Sequence, residues 1–367
     1  MAELRLLHMA SWGSEADRDG SLTKRMIKSW NGFWFAEAPT SSLALVRIAF
    51  GLIVLAWTLS LAPSLFDFFS SNGIVPRQPA GGAPGVWGLL DGAPGDTMVV
   101  LVFLALLVGA ACLTVGYHTK IASAIVFVGL VSLTRRNPFI FNAGDGLLRV
   151  ISFYLLLSPA GASLSLDRWR RAPQRFWEFA RRPIWPLRLM QIQLSIVYIA
   201  AVWEKVRGET WNDGTAVSYA LRFSDHARFP VPDLLTSSPL LVNLATYGTL
   251  AFELAVGVLV WNRKARPWVM ALGVLFHLST AYSIRVGFLT VAILALYLSF
   301  FPADATSARL LALRDRLEQS VRIPEWLKFW QAGATERPVG HGREKQLVSS
   351  KTSSVNGSAR EGSEVVP

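Results

Sequence analysis

The sequence lacks the residue patterns that many catalytic, metal-binding and crosslinked folds require. It has one cysteine, Cys112, so neither an intrachain disulfide nor a CxxC metal site can form. The GxSxG, P-loop, HExxH and GxGxxG patterns do not occur. No other histidine is spaced to form a metal-binding pair with His277, so no metal site is predicted. These absences argue against the common hydrolase, nucleotide-binding and zinc-protease classes.

Charged residues are also scarce. They make up 17% of the chain, whereas 52% of the residues are hydrophobic; soluble proteins carry about 25% charged residues. The charges lie in short clusters between long apolar runs, which is typical of an integral membrane protein. The net charge of +11 includes such clusters as "DRWRRAPQRFWEFARRP" and "WNRKARP". Their placement between apolar segments fits the positive-inside rule, so no nucleic-acid partner is predicted.

The apolar runs predict an all-α fold, a polytopic helical membrane bundle with about eight transmembrane helices. The predicted spans are roughly 42–62, 97–115, 120–140, 146–161, 184–206, 240–261, 267–284 and 286–301. The predicted domains are a cytoplasmic N-terminal segment (1–40), a transmembrane domain (41–302), an amphipathic cytoplasmic helix (303–332) and a disordered tail (333–367).

The basic residues also predict an orientation. With eight spans, most of the Lys and Arg residues fall on the side that holds both termini. We therefore predict an integral protein of the cell membrane whose N- and C-termini are cytoplasmic. In this orientation the helix that ends near Lys205 reaches the outer face.

Ionisable residues inside a span need a reason, because each costs roughly 2.5–3.5 kcal/mol near the bilayer centre on insertion scales. Arg47, Glu253 and His277 lie well within apolar runs. Since intramembrane charges usually pair with each other, we predict a structural ion pair between Arg47 and Glu253. His277 is predicted to hydrogen-bond or handle protons.

A polar stripe runs along the fifth span, where Gln191, Tyr198 and Lys205 recur every seven residues and Ser195 lies nearby. Seven residues are close to two helical turns, so this stripe should face the bundle interior. Two interpretations of Lys205 stay open: its amine reaches the lipid headgroups as an anchor, or a tryptophan-rich wall desolvates it for use as a base. Glu204 precedes it, and an acid beside the amine favours the protonated form.

The segment "NPFIFNAGDGLLR" places Asn142 and Asp145 beside two glycines between the third and fourth spans. One interpretation is an ordinary turn with a helix cap, in which Asp145 accepts hydrogen bonds from nearby amides. The other is a binding role, with both side chains next to Lys205 at the outer mouth of the bundle.

Four stretches in this order resemble the HTTM family, the membrane proteins related to vitamin K-dependent gamma-glutamyl carboxylase. The resemblance covers roughly residues 40–302. The stretches are "LVRIAFGLIVLAWTLSLAPSLFDFFSSNGIVP", "NPFIFNAGDGLLRVISFYLLLSP", "MQIQLSIVYIAAVWEKVRGETWNDGTAV" and "FHLSTAYSIRVGFLTVAILALYLSFFP".

The resemblance implies a site. Lys205 stands where the carboxylase has the lysine proposed to deprotonate vitamin K hydroquinone, so Lys205 and His277 are predicted as catalytic residues. Asn142, Asp145 and Trp211, together with Tyr198 from the stripe, are predicted to bind substrate. The implied cofactor is a vitamin K-like quinone.

Three functions remain open at this stage. The first is a carboxylase-like or quinone-linked enzyme with an outward-facing polar cavity and Lys205 as its base. The second is a non-enzymatic membrane partner for the production or export of a secreted peptide, as in some bacterial relatives. The third is a small-molecule carrier, which the lack of a visible internal repeat disfavours. The predicted partners are the lipid bilayer and either a lipid-soluble quinone or a secreted peptide.

Overall fold

The computed structural model describes residues 22–75, 87–91, 95–223 and 227–320. The chain divides into one compact unit of residues 1–313, which holds every site discussed below, and another of residues 314–367. The helices are α1 (residues 22–35), α2 (Ser41–Leu61), α3 (Leu65–Phe69), α4 (Asp96–Val115), α5 (Thr119–Arg136), α6 (Ala143–Leu157), α7 (Leu166–Arg171), α8 (Trp185–Lys205), α9 (Glu209–Asn212), α10 (Ala216–Arg222), α11 (Asp233–Ser237), α12 (Pro239–Leu259), α13 (Arg266–Ser283), α14 (Leu289–Tyr297) and α15 (Ala303–Ser320).

Short elements connect these helices. Single 3-10 turns cover Ala62–Ser64, Pro138–Ile140, Pro173–Arg175 and Leu298–Phe300. Two strands, β1 (Glu37–Pro39) and β2 (Arg181–Pro183), pair antiparallel and join the segment before α2 to the segment before α8. The predicted disordered tail (333–367) lies outside the described residues, as do residues 1–21 and 321–332.

Helices occur at all eight predicted positions, and the all-α class is confirmed. The count of eight membrane spans is not. In the described ranges four helical segments are long and apolar enough to cross a membrane, and a bent pair brings the number to at most five. The segments are Ser41–Phe69, Asp96–Val115, Trp185–Lys205 and Pro239–Leu259, and the bent pair is Leu289–Phe300 with Ala303–Gln319. Helix α6 has 15 residues, which is short for a membrane crossing.

Close backbone approach holds the first helices together, as expected where lipid and core are equally apolar. Helix α2 packs on α4, and α4 packs on α5. A Cβ placed on Gly51 would lie 2.8 Å from the backbone nitrogen of Thr114, so α2 can approach α4 this closely because the position is glycine. Phe50, Trp57 and Leu106 fill the resulting core and are almost fully buried.

The predicted ion pair between Arg47 and Glu253 is wrong. Arg47 is fully buried in α2, where its guanidinium donates to the carbonyl oxygens of Ala160 and Leu164 at 3.3 and 2.5 Å. These carbonyls lie in the non-helical segment after α6, where the backbone has acceptors to spare. Glu253 pairs elsewhere, as described below.

Asp167 caps the start of α5. Its Oδ1 accepts from the amide of His118 at 2.8 Å, and its Oδ2 accepts from the amide and hydroxyl of Thr119 at 2.8 and 2.7 Å. Burial alone would raise the pKa of this carboxyl, but the hydrogen bonds from Thr119 and His118 outweigh it, so the pKa is lowered. The carboxylate therefore stabilises the folded protein in its charged form.

We expect Asp167 to make the stability of the protein acid-sensitive. Because its pKa is lower in the folded state, its contribution is complete above about pH 4 and is lost as pH falls through the native value. Asp167→Asn should lower the free energy of unfolding at pH 7 by roughly 1–3 kcal/mol and flatten the loss of stability below pH 4. Thermal unfolding in detergent across this pH range measures both effects.

Asp304→Asn is the matched control, since the Asp304 side chain is 78% exposed in its pair with Arg181. It should leave the acid dependence unchanged. Equal acid slopes in the wild type and Asp167→Asn would contradict the assignment.

Candidate functional site

A cavity of about 710 Å³ lies between the end of α8, α10, the middle of α12, the second half of α13 and the start of α14. Its walls are mostly apolar. Polar and ionisable groups occur at two places: an ion pair from α8 and α12, and a cluster of hydroxyl and imidazole groups from α8 and α13. This combination of an apolar wall with a few convergent polar groups is typical of a small-molecule site.

The ion pair consists of Lys205 and Glu253. The lysine Nζ donates to both carboxylate oxygens of Glu253 at 2.7 Å. The lysine side chain is 24% exposed and the glutamate side chain 8%. Neither charge could lie alone in this wall without a large desolvation cost, and together they carry no net charge.

Glu204 is not the acid that contacts the amine. Its carboxylate lies 3.6 Å from Arg207, and its side chain is 71% exposed. Successive helical residues point about 100° apart, so Glu204 cannot share the inward face of Lys205. The acid beside the amine instead comes from a helix that starts more than thirty residues later in the chain.

Trp211 covers the lysine from the other side, with its ring centroid 5.3 Å from Nζ. The turn that carries it is fastened to α12, because Asn243 Nδ2 donates to Gly214 O at 3.0 Å and the Tyr247 hydroxyl donates to Asn212 O at 2.7 Å. Gly214 has a φ of +73°, a left-handed conformation that favours glycine. The "WNDG" turn therefore fixes an aromatic ring against the ammonium group.

Lys205 does not lie level with the start of α12. It is the last residue of α8, yet its partner Glu253 lies fourteen residues after the start of α12 at Pro239, which is roughly 21 Å along the axis. Helices α10 and α11 pack against α12 over this remaining length. The amine is therefore alongside the second half of α12 rather than level with its first residue.

The cluster of hydroxyl and imidazole groups is joined by a chain of short hydrogen bonds. The Tyr198 hydroxyl is 2.6 Å from His277 Nε2 and 2.6 Å from the Tyr297 hydroxyl. All three side chains are buried. If Tyr198 donates to the imidazole, it accepts from Tyr297, so one proton arrangement satisfies the chain and the reverse tautomer satisfies it equally.

Tyr297 was not identified from the sequence. The signal was present, because it is a hydroxyl within the apolar run "VAILALYLSFF". Gly273 makes room for it: a Cβ at that position would overlap the Tyr297 hydroxyl.

The predicted inward stripe on α8 is confirmed, since Gln191 donates to Ser299 O at 2.7 Å and Ser195 accepts from Trp261 at 2.8 Å.

The cavity brings together Lys205, Trp211, Tyr198 and His277, as predicted, and adds Glu253. Asn142 and Asp145 are not among its lining residues.

The two side chains serve the start of α6 instead. Asn142 Oδ1 accepts from Gly144 N at 2.8 Å, and Asp145 Oδ2 accepts from Asn142 N at 2.6 Å, which completes a capping box. Asp145 Oδ1 also accepts from Trp57 Nε1 at 2.6 Å. The helix-cap interpretation therefore describes both residues. Their role in substrate binding stays a prediction.

Metal ligation has no visible basis in this cavity. Within the part of the chain that the structure describes, no group of three or more His, Cys, Asp or Glu side chains is arranged to hold a metal ion. The chemistry available there is acid–base chemistry from Lys205, Glu253 and His277, and hydrogen bonding from Tyr198.

The apolar helices and this cavity are typical of a helical membrane protein with a cavity between its helices. The HTTM domain family matches residues 86–304, more than half of the chain, and the chain belongs to that family. It is also similar to the sporulation-delaying protein SdpB of Bacillus subtilis (strain 168), with 26% identity over 169 residues, or 43% of this chain. The match spans about half, 51%, of that relative's length. No solved structure matches the chain.

We expect the Lys205–Glu253 pair to be strongly coupled. Glu253→Gln leaves the ammonium without its counter-charge in an apolar wall and should cost about 3 kcal/mol of unfolding free energy. The double variant Lys205→Met/Glu253→Leu should lose much less, because no unpaired charge remains. Denaturant unfolding in detergent measures both.

Glu204→Gln is the control and should change stability by less than about 0.5 kcal/mol, since this side chain is exposed. If the double variant Lys205→Met/Glu253→Leu lost as much stability as Glu253→Gln, the pair would not be coupled.

Proposed function

We propose that this HTTM-family membrane protein binds a lipid-soluble quinone in the cavity and uses Lys205 as a base in a carboxylase-like or quinone-linked reaction. The observation that carries the proposal is the placement of a titratable pair, Lys205 and Glu253, in the wall of a mostly apolar cavity of about 710 Å³. Cavities of roughly 300–1,000 Å³ accommodate small organic ligands, and their apolar linings suit a planar ring with a hydrocarbon tail.

The ion pair supports base catalysis through a proton shift. An ammonium has no lone pair, so Lys205 must first give up a proton, and Glu253 lies 2.7 Å away to receive it. The resulting amine and carboxylic acid carry the same net charge as the ion pair, so an apolar surrounding does not penalise the exchange by a change in net charge. The amine can then take the hydroxyl proton of a hydroquinone.

A hydroquinone bound in the cavity would supply an acidic O–H group. Lys205 would hold the proton taken from it as an ammonium, and Glu253 would keep the proton it received from the lysine. Trp211 excludes water from one side of the amine. Tyr198 and His277 line the same cavity. The Tyr198 proton is used within the hydrogen-bond chain, but the Tyr198 oxygen keeps one lone pair that can accept from a second ligand hydroxyl.

The proposal includes a topology. Eight crossings, cytoplasmic termini and a cavity open to the outside are supported by the helices at the eight predicted positions and by the distribution of basic clusters. In this arrangement the loop at Asp213 is external and the loop at Lys264 is internal.

Single-cysteine labelling tests that topology. In a Cys112→Ser background, Asp213→Cys should react with a membrane-impermeant maleimide on intact cells, because the side chain is exposed in the external loop. Lys264→Cys, also exposed, should react after permeabilisation and not before. The opposite pattern would reverse the orientation, and labelling of both positions from outside would exclude eight crossings.

The quinone proposal is tested on the purified full-length protein. We expect a quinone in the organic extract, identified by mass spectrometry, and oxygen uptake with a vitamin K-type hydroquinone. Lys205→Ala should lower that uptake at least about a hundredfold, since a general base contributes roughly 10²–10⁴-fold. Lys264→Ala removes an exposed lysine from another loop and should leave uptake unchanged. Absence of extracted quinone together with equal uptake by wild type and Lys205→Ala would refute the proposal.

A second candidate is a non-enzymatic membrane partner for a secreted peptide. The similarity to a sporulation-delaying protein favours it. If it is correct, loss of the chain should stop the appearance of an exported peptide in the medium, and Lys205→Ala should restore export as fully as the wild type. Failure of Lys205→Ala to restore export would instead support a catalytic role for the lysine.

A further inference from the structure

A second cavity, of about 410 Å³, lies away from the site described above. It is enclosed by the start of α5, the end of α6, the segment 158–162, α7 and β2. We call it the basic cavity, because four cationic side chains line it: Lys120, Arg168, Arg171 and Arg182.

Two carboxylates contact this cluster: Glu178 pairs with Arg168, and Asp167 lines the cavity with its hydrogen-bonding capacity directed elsewhere. Both of its oxygens accept from the first residues of α5, where they cap the helix. Behind it lies the buried guanidinium of Arg47, whose charge Asp167 also offsets. The carboxylate therefore leaves most of the positive charge of the cavity uncompensated.

The cations differ in how far they are already used. Arg168 donates to Glu178 at 3.1 Å, and Lys120 donates to Leu156 O at 2.9 Å. Within the described ranges the guanidinium groups of Arg171 and Arg182 donate no hydrogen bond, although Arg171 interacts electrostatically with Asp167. Each guanidinium offers five N–H donors in a planar fork that matches the oxygens of a phosphate group.

The surroundings of the basic cavity are apolar and exposed. Ile121, which lines the cavity, is 60% exposed, and the nearby chain positions Leu157 and Trp169 are 47% and 53% exposed. Such side chains beside a basic cluster are typical of a helix end at the membrane–water interface, where Trp is enriched. A ligand with a phosphate and a hydrocarbon tail satisfies both features, whereas free phosphate satisfies only the first.

We propose that the basic cavity binds the head group of an anionic phospholipid, with Arg171 and Arg182 as the phosphate ligands. Basic pockets between transmembrane helices bind anionic head groups in this way. The acyl chains lie along the exposed apolar side chains of α5 and α6. The site is independent of Lys205 and of the proposed quinone reaction.

The test titrates phosphatidylglycerol into the detergent-solubilised full chain and follows binding by native mass spectrometry. Arg171→Gln/Arg182→Gln should weaken binding at least about tenfold, since each basic residue contributes appreciably to attraction of anionic lipid. Arg171→Lys/Arg182→Lys keeps the charge but loses the planar fork, so it should recover only part of the affinity. Unchanged helicity and melting temperature without lipid establish that the variants fold.

Arg263→Gln/Lys264→Gln is the matched control, because it removes two exposed cations from another short basic loop. It should weaken phosphatidylglycerol binding by less than about twofold if the basic cavity is a specific site. Equal losses in both double variants would show non-specific attraction and overturn the proposal. Equal affinity for phosphatidylcholine would exclude recognition of anionic charge, and equally tight binding of inorganic phosphate would show that the ligand is a soluble phosphate.

Discussion

The salt bridge between Lys205 and Glu253 is the contact on which the arrangement of the site depends. It joins the last residue of α8 to the second half of α12, and an unpaired charge at either position would be costly in an apolar wall. The requirement for pairing determines how the two helices lie against each other. The lysine is thereby held in the cavity wall.

The same constraint governs the other buried charge. The Arg47 guanidinium donates to two carbonyl oxygens of the segment after α6, and the nearby Asp167 offsets its charge. The carboxylate also caps α5, so one side chain serves the helix start and the charge behind it.

The positions of the helices could be predicted because backbone hydrogen bonds must be satisfied within each apolar segment. The inward stripe on α8 could be predicted because a seven-residue spacing follows from helix geometry alone. Partner choice could not, since Glu253 had two candidate cations in the sequence and which helix packs beside it is a tertiary property. The offset between α8 and α12 was also hidden, because it depends on loop packing. Asn142 and Asp145 had a local cap available, and this local interaction decided their position.

The close contact between Gly273 and Tyr297 has a consequence for how the sequence can evolve. The Tyr297 hydroxyl occupies the volume that any side chain at 273 would need, so Tyr297 can pack here only against a glycine. A relative with alanine at position 273 must have a smaller or reoriented side chain at position 297. A relative without tyrosine at position 297 can have a larger residue at position 273. These two positions should therefore change together across relatives, even though no bond joins them.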